Sequence, residues 1–203
     1  RANDANGTTW GTPVQISTTG YDDFSFKLIG GKPAIVFKTF ASGQLIIKYA
    51  SAADITGSTW NAPVTVFSTS TLLHSPTLCE INGKPSVAYS TPTQLSISHA
   101  TTAAGTAFNT PILVLTTGRL FRVHELKIVD GKPVVLLRTF RDDGTDLAYI
   151  RSNDVNGATS GSIVTIETTG IVGYQASLEI VNGNPAVVYN NVDDPYLLKY
   201  VRA

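Results

Sequence analysis

Apolar residues along this chain fall in short runs, with no segment of useful length at the three-and-four spacing of an amphipathic helix. Four of the runs are nearly continuous in apolar and β-branched residues: Ala34-Ile35-Val36-Phe37, Ser86-Val87-Ala88-Tyr89, Val134-Val135-Leu136-Leu137 and Ala186-Val187-Val188-Tyr189. Such runs predict strands covered on both faces, as where sheet packs on sheet. Each follows another apolar stretch across a tight turn: Ile29-Gly30-Gly31-Lys32-Pro33, Ile81-Asn82-Gly83-Lys84-Pro85, Val129-Asp130-Gly131-Lys132-Pro133 and Val181-Asn182-Gly183-Asn184-Pro185. Gly-Gly, Asn-Gly and Asp-Gly supply the positive φ angles of a two-residue hairpin turn, and the proline opens the next strand, where a missing N–H costs least.

The hairpins recur about every fifty residues, which marks a repeat architecture. Each repeat reads strand, tight turn, strand, loop, strand, longer turn, strand. Third strands are expected at Leu45 to Ala50, Leu95 to Ala100, Leu147 to Arg151 and Leu197 to Arg202. Fourth strands are expected at Pro13 to Ser17, Pro63 to Phe67, Ile112 to Leu115 and Ile163 to Ile166. The predicted fold is all-β, a four-bladed β-propeller of four-stranded antiparallel blades, in a single domain over 1–203 with repeats near 1–50, 51–100, 101–150 and 151–203. Pairing the N-terminal fourth strand with the C-terminal blade would close the ring and remove its free edges. Arg202-Ala203 repeats Arg1-Ala2 at the seam, so a closed monomer is favoured, with a dimer or larger ring as the alternative.

The turn between third and fourth strands carries a second signature, Asp4-Ala5-Asn6-Gly7-Thr8-Thr9-Trp10 and Asp54-Ile55-Thr56-Gly57-Ser58-Thr59-Trp60. It resembles the Asp-box of sialidase-like bacterial propellers, with one residue more between Asp and Gly. Repeat three keeps Gly105-Thr106-Ala107-Phe108 without the Asp, and repeat four keeps Asp154 and Gly157 but ends in Ser160. The resemblance implies structural turns on the face opposite the binding site. It carries no catalytic function across, since no arginine triad, tyrosine or acid residue matches position by position.

Composition narrows the rest. Hydrophobic residues make up 42% and charged residues 15%, ample material for a core. Lys plus Arg and Asp plus Glu both number 15, so no global field draws the protein to nucleic acid. No apolar run is long enough for membrane insertion. The single cysteine, Cys79, lies in a strand and reads as a packed residue. The absence of methionine and the start at Arg1 suggest a mature or excised segment of a longer exported bacterial protein, extracellular or at the cell surface.

Function would sit where the repeats diverge, in the loops at the other end of the blades. One set holds Tyr21, Asp22 and Asp23, then His74, then Arg119, Phe121, Arg122 and His124, then Tyr174 and Gln175. The other adds Lys38 and Phe40, then Arg138, Phe140, Arg141, Asp142 and Asp143, then Asn190, Asn191, Asp193, Asp194 and Tyr196. Aromatic rings beside Arg, Asp and Asn suit a glycan or protein ligand; the plain alternative is solvated loop charge. The candidate ligand-binding residues are Tyr21, Asp22, Asp23, His74, Arg119, Arg122, His124, Arg138, Arg141 and Tyr174. No cofactor is implied, and Asp142-Asp143-Gly144-Thr145-Asp146 reads as a turn rather than a metal site. The leading expectation is a non-catalytic recognition module. A purely structural or self-assembling repeat stands second and a glycoside-active enzyme third, its carboxyl pair being Asp22 or Asp23 with Glu125 or Asp143.

Overall fold

The computed structural model describes residues 1–20, 23–116, 121–193 and 195–203. Among these, fifteen strands form four antiparallel sheets in chain order. The first holds β1 (Phe24–Ile29), β2 (Lys32–Ala41), β3 (Gln44–Ser51) and β4 (Val64–Thr69). The second holds β5 (Thr77–Ile81), β6 (Lys84–Ser90), β7 (Gln94–His99) and β8 (Ile112–Thr116). The third holds β9 (Phe121–Val129), β10 (Lys132–Arg141), β11 (Gly144–Ser152) and β12 (Ser160–Glu167). In the fourth are β13 (Val172–Val181), β14 (Asn184–Asn191) and β15 (Leu197–Arg202).

The hairpins form as their turn chemistry requires. Asn82 and Gly83 have φ of 51° and 71°, and Asp130 and Gly131 have 47° and 72°, positive at both central positions. A further such turn, Ser42-Gly43 at 51° and 76°, joins β2 to β3 directly. Of the second strands, β6 and β10 in the two middle sheets are buried on both faces where sheets stack, whereas β2 and β14 are fully covered on one face only, with Val188 of β14 41% exposed, a correction to the expectation for all four. Val36, Tyr49, Leu78 and Tyr89 fill the first junction, Leu95, Leu126, Leu137 and Ile150 the second, and Leu136, Leu147, Leu178 and Val187 the third. Each fully buried leucine contributes about 2 kcal/mol from removal of apolar surface from water.

First strands are innermost. The amide of Leu78 donates to Ser25 Oγ at 3.2 Å, that of Leu126 to Thr77 Oγ1 at 3.3 Å and that of Leu178 to Glu125 Oε2 at 2.8 Å. One repeated side-chain position thus ties each first strand to the next. Lys27 of the first blade reaches Glu125 of the third, Nζ to Oε1 3.4 Å, so the first strands surround a common axis.

The turns built on Asp also form. Asp54 Oδ1 accepts the amides of Thr56 and Ser58 at 2.8 and 3.3 Å, and Oδ2 accepts that of Thr59 at 3.1 Å. Asp4 and Asp154 do the same in their repeats. Hydroxyl and amide donors hold the Asp4 and Asp54 carboxyls well below the usual carboxylate range.

Two expectations are corrected at the chain's ends. Residues 13–17 form no strand, and the fourth sheet ends at β15. The pairing that would close the ring is therefore not made. Residues 14–20 instead line a hollow with Phe24, Ile35 and Phe37 of the first blade, and strand pairing needs a partner from the other end of the chain. Both outer faces stay open, with Phe24 67% and Phe26 57% exposed on one and Leu198 79% and Tyr200 60% exposed on the other.

Candidate functional site

Five residues past each turn proline, the second strands carry Lys38, Ser90, Arg138 and Asn190. The starts of the first strands meet them. The Lys38 amide donates to the Asp23 carbonyl at 3.0 Å, the His74 amide to the Ser90 carbonyl at 2.9 Å and the Gln175 amide to Asn190 Oδ1 at 2.7 Å, while Arg138 faces Arg122 in register. One position per blade, repeated around the axis, thus gathers its polar groups at the end opposite the Asp-centred turns.

The cluster's electrostatics follow from burial. Lys38 is 7% exposed and bonds the Asp23 carboxylate and, at 3.3 Å, the Leu73 carbonyl. Asp23 also accepts from Ser75 Oγ at 2.7 Å. Burial pushes the Asp23 carboxyl up, but the bonds from Lys38 and Ser75 and the charges of Lys38 and Arg122 outweigh it and hold the pKa below the usual range.

His124 occupies a β-bulge. Leu136 faces Glu125 and Leu137 faces Val123, so His124 is the extra residue of β9 and its ring is turned out of the ladder. A ring nitrogen bonds the main chain of Gly173, and Nε2 is buried without a partner. Burial, then the charges of Arg138 and Arg122, bring its pKa down to about 4. His74 is lowered in the same way by burial, Lys38 and Arg122, and its Nε2 is also unpartnered. Both imidazoles are neutral at neutral pH.

A second bulge presents Tyr174. Val172 faces Asn191 and Ala176 faces Tyr189, so Gly173 to Gln175 loop out of β13. Gly173 has φ +68°, and a Cβ there would lie 2.9 Å from Leu147 Cδ1. Only glycine makes this bend without strain. The Tyr174 ring, half exposed, lies 4.8 Å from the Arg138 guanidinium, whose other neighbour is the Phe140 ring at 4.7 Å.

Of the residues proposed from sequence, Asp23, His74, Arg122, His124, Arg138 and Tyr174 come together here. Tyr21, Asp22 and Arg119 lie outside the described residues. Arg141 lies apart in a structural network, Nε 2.8 Å from Asp146 Oδ1 and its NH2 group donating to the Thr168 carbonyl. Sequence reasoning placed Arg138, Arg122, His124 and Tyr174 in loops and Lys38 at the end of a strand; all five are on strands or strand bulges. It missed Ser75 as a partner of Asp23, and the proline-plus-five spacing was the signal that would have aligned Ser90 with Lys38 and Arg138. Of the carboxyls expected to pair, Asp22 lies outside the described residues, Asp23 is bonded by Lys38 and Ser75, Glu125 is held at the blade junction by the Leu178 amide, Lys27 and Lys127, and Asp143 sits on an exposed turn. Among the described residues, no group of three or more His, Cys, Asp or Glu could hold a metal ion. Cys79 packs against the core with its thiol pushed up to about 11 by burial.

No protein-family model matches the chain, and no curated protein matches it. Solved structures share its fold at low identity. An endo-arabinase from Bacteroides thetaiotaomicron is 12% identical with a TM-score of 0.65, covering 97% of this chain and 80% of that one. A family-43 endo-arabinanase from Bacillus licheniformis is 18% identical with a TM-score of 0.60, over 92% of this chain and 72% of its own. An ulvan lyase, a polysaccharide lyase, is 10% identical with a TM-score of 0.64, over 88% and 51%. The chain has the propeller fold of these proteins. The expectation of a non-catalytic recognition module, and the structural repeat behind it, are corrected by this finding: the solved structures of like fold are glycoside hydrolases and a polysaccharide lyase.

Proposed function

We propose that this protein is a glycan-active enzyme that breaks a glycosidic linkage at the axial cluster. The observation that carries the reading is His124, a neutral imidazole whose Nε2 has no protein partner, set beside Arg122 and Arg138. The lone pair of a neutral imidazole can accept a proton in a transition state, and the two cations can stabilise negative charge that develops nearby. The half-exposed Tyr174 ring offers a stacking surface for a sugar. The fold likeness to arabinan-active hydrolases and to a polysaccharide lyase adds an argument by analogy. Hydrolysis ordinarily takes two carboxyl groups, whereas elimination takes a base that removes the proton beside a uronate carboxylate and, once protonated, returns it to the departing oxygen, with a cation to stabilise the negative charge between. The described residues supply the second set. We read the Asp-centred turns as Asp-box-type, and action on a polymeric glycan as work done outside the cell.

Incubation with arabinan, galactan, polygalacturonate and ulvan, read by new reducing ends and by the ultraviolet absorbance of an unsaturated product, tests the reading. Cleavage of one polymer, reduced at least about 100-fold in His124→Gln, supports it. No cleavage of any of them, or full activity in the variant, overturns it.

A further inference from the structure

We infer that Arg122 and Arg138 form a binding site for an oxyanion carried on a sugar, either a uronate carboxylate or a sulfate ester. The inference rests on the glycan-active reading above and names the kind of glycan the site takes.

Arg138 is 4% exposed, and a guanidinium stays charged wherever it is placed. Removing such a charge from water is costly unless an opposite charge or bonded oxygens replace the water. Several other basic groups that lie partly out of water do meet a carboxylate: Lys38 meets Asp23, Arg141 meets Asp146 at 2.8 Å and Lys199 meets Glu167 at 2.9 Å. Arg138 differs. Among the described residues it meets no carboxylate, and its flanks are the Phe140 and Tyr174 rings.

The charge acting on it is a like one. Arg122, opposite it in the ladder, disfavours its charged form, and so does its burial. Asp23 is near enough to act on Arg122 but is already bonded by Lys38 and Ser75. The two histidines between these blades are neutral and contribute no charge. Among the described residues, two adjacent guanidiniums therefore share a partly buried end of the axis with no carboxylate bonded to either.

An oxyanion relieves that repulsion, and a neutral saccharide does not. The planar fork of a guanidinium matches two oxygens of a carboxylate or sulfate, giving direction as well as charge. Arg122 is the more exposed of the two, so the anion approaches from its side, and the open face of Tyr174 receives the apolar face of the same sugar.

Calorimetric titration of the full chain at low salt tests this with three probes: an oligogalacturonate, a sulfated galactan oligosaccharide and a neutral arabino-oligosaccharide. At least one anionic probe is expected to bind more than about tenfold tighter than the neutral one, with the advantage lost in Arg122→Met and in Arg138→Met. The uronate and sulfate arms decide which oxyanion is read. If Arg138→Met does not fold, Arg122→Met carries the test alone. Equal affinity for anionic and neutral probes, or an unchanged preference in Arg122→Met, overturns the inference and leaves the glycan reading standing. Binding of none of the three overturns both.

Discussion

The guanidinium of Arg138 lies 4.8 Å from the Tyr174 ring, joining the third blade to the fourth at the end of the axis. The pair depends on one irregularity, since Arg138 lies within the regular ladder of β10 and Tyr174 is presented by the bulge of β13 at Gly173 to Gln175. Tyr174→Ala removes one face of the guanidinium's support, worth about 0.5–2 kcal/mol, and the stacking surface for a sugar. Glycan affinity is expected to fall about tenfold or more while thermal unfolding shifts little. An unchanged affinity would remove Tyr174 from the site.

Acid should destabilise the fold through His124. Its pKa is 6.5 when unperturbed and about 4 when folded, so between these values the unfolded chain binds more protons. Stability from this group is complete above about pH 6.5 and is lost as pH falls toward 4, by up to about 3 kcal/mol. His74, lowered for the same reasons, adds in the same direction. Urea unfolding across this range should show stability rising with pH in the native chain and a flatter profile in His124→Gln. Parallel profiles would contradict the assignment.

The third repeat lacks the acidic turn residue, and Thr102 stands in its place, its hydroxyl 3.4 Å from Thr106 Oγ1. The main-chain bond that closes the other turns is present, Gly105 N to Thr102 O at 3.1 Å. Thr102→Asp should therefore gain the amide bonds that Asp54 makes and stabilise the protein by roughly 0.5–1 kcal/mol. Calorimetry showing a lower melting temperature would mean that this turn cannot accept the carboxylate.

Leu136 is fully buried and packs with Leu147, Leu178 and Val187 between the third and fourth blades. Leu136→Ala leaves a cavity between stacked sheets and should cost about 3–4 kcal/mol in denaturant unfolding. A loss under about 1 kcal/mol would show that the blades can close over the gap.

The open outer faces carry a consequence in solution. Phe26 at 57% and Leu198 at 79% exposure lie on sheet faces that the other blades cover with a neighbour. Sedimentation should find the mass rising with concentration, and Phe26→Lys or Leu198→Lys should suppress the rise. A monomer at every concentration would show that these faces are covered within one chain.

Strands, hairpins and Asp-centred turns were legible in the amino-acid order because each rests on interactions within about ten residues. Asn82-Gly83 turns because of its own φ preferences, and Asp54 bonds amides of its own loop. Most strands lie within a few residues of their predicted bounds for the same reason. The failures were non-local. Residues 13–17 have strand-like sequence but no partner, since pairing depends on what the other end of the chain does. His124 and Tyr174 could be named from sequence as divergent residues, but their bulges answer to the register of neighbouring strands. The lack of a carboxylate beside Arg138 among the described residues appeared only once the blades were assembled, because burial and the distance to a counter-charge are properties of packed sheets. Local chemistry, written in the sequence, determined the blade; the field where the first strands meet was decided by tertiary structure.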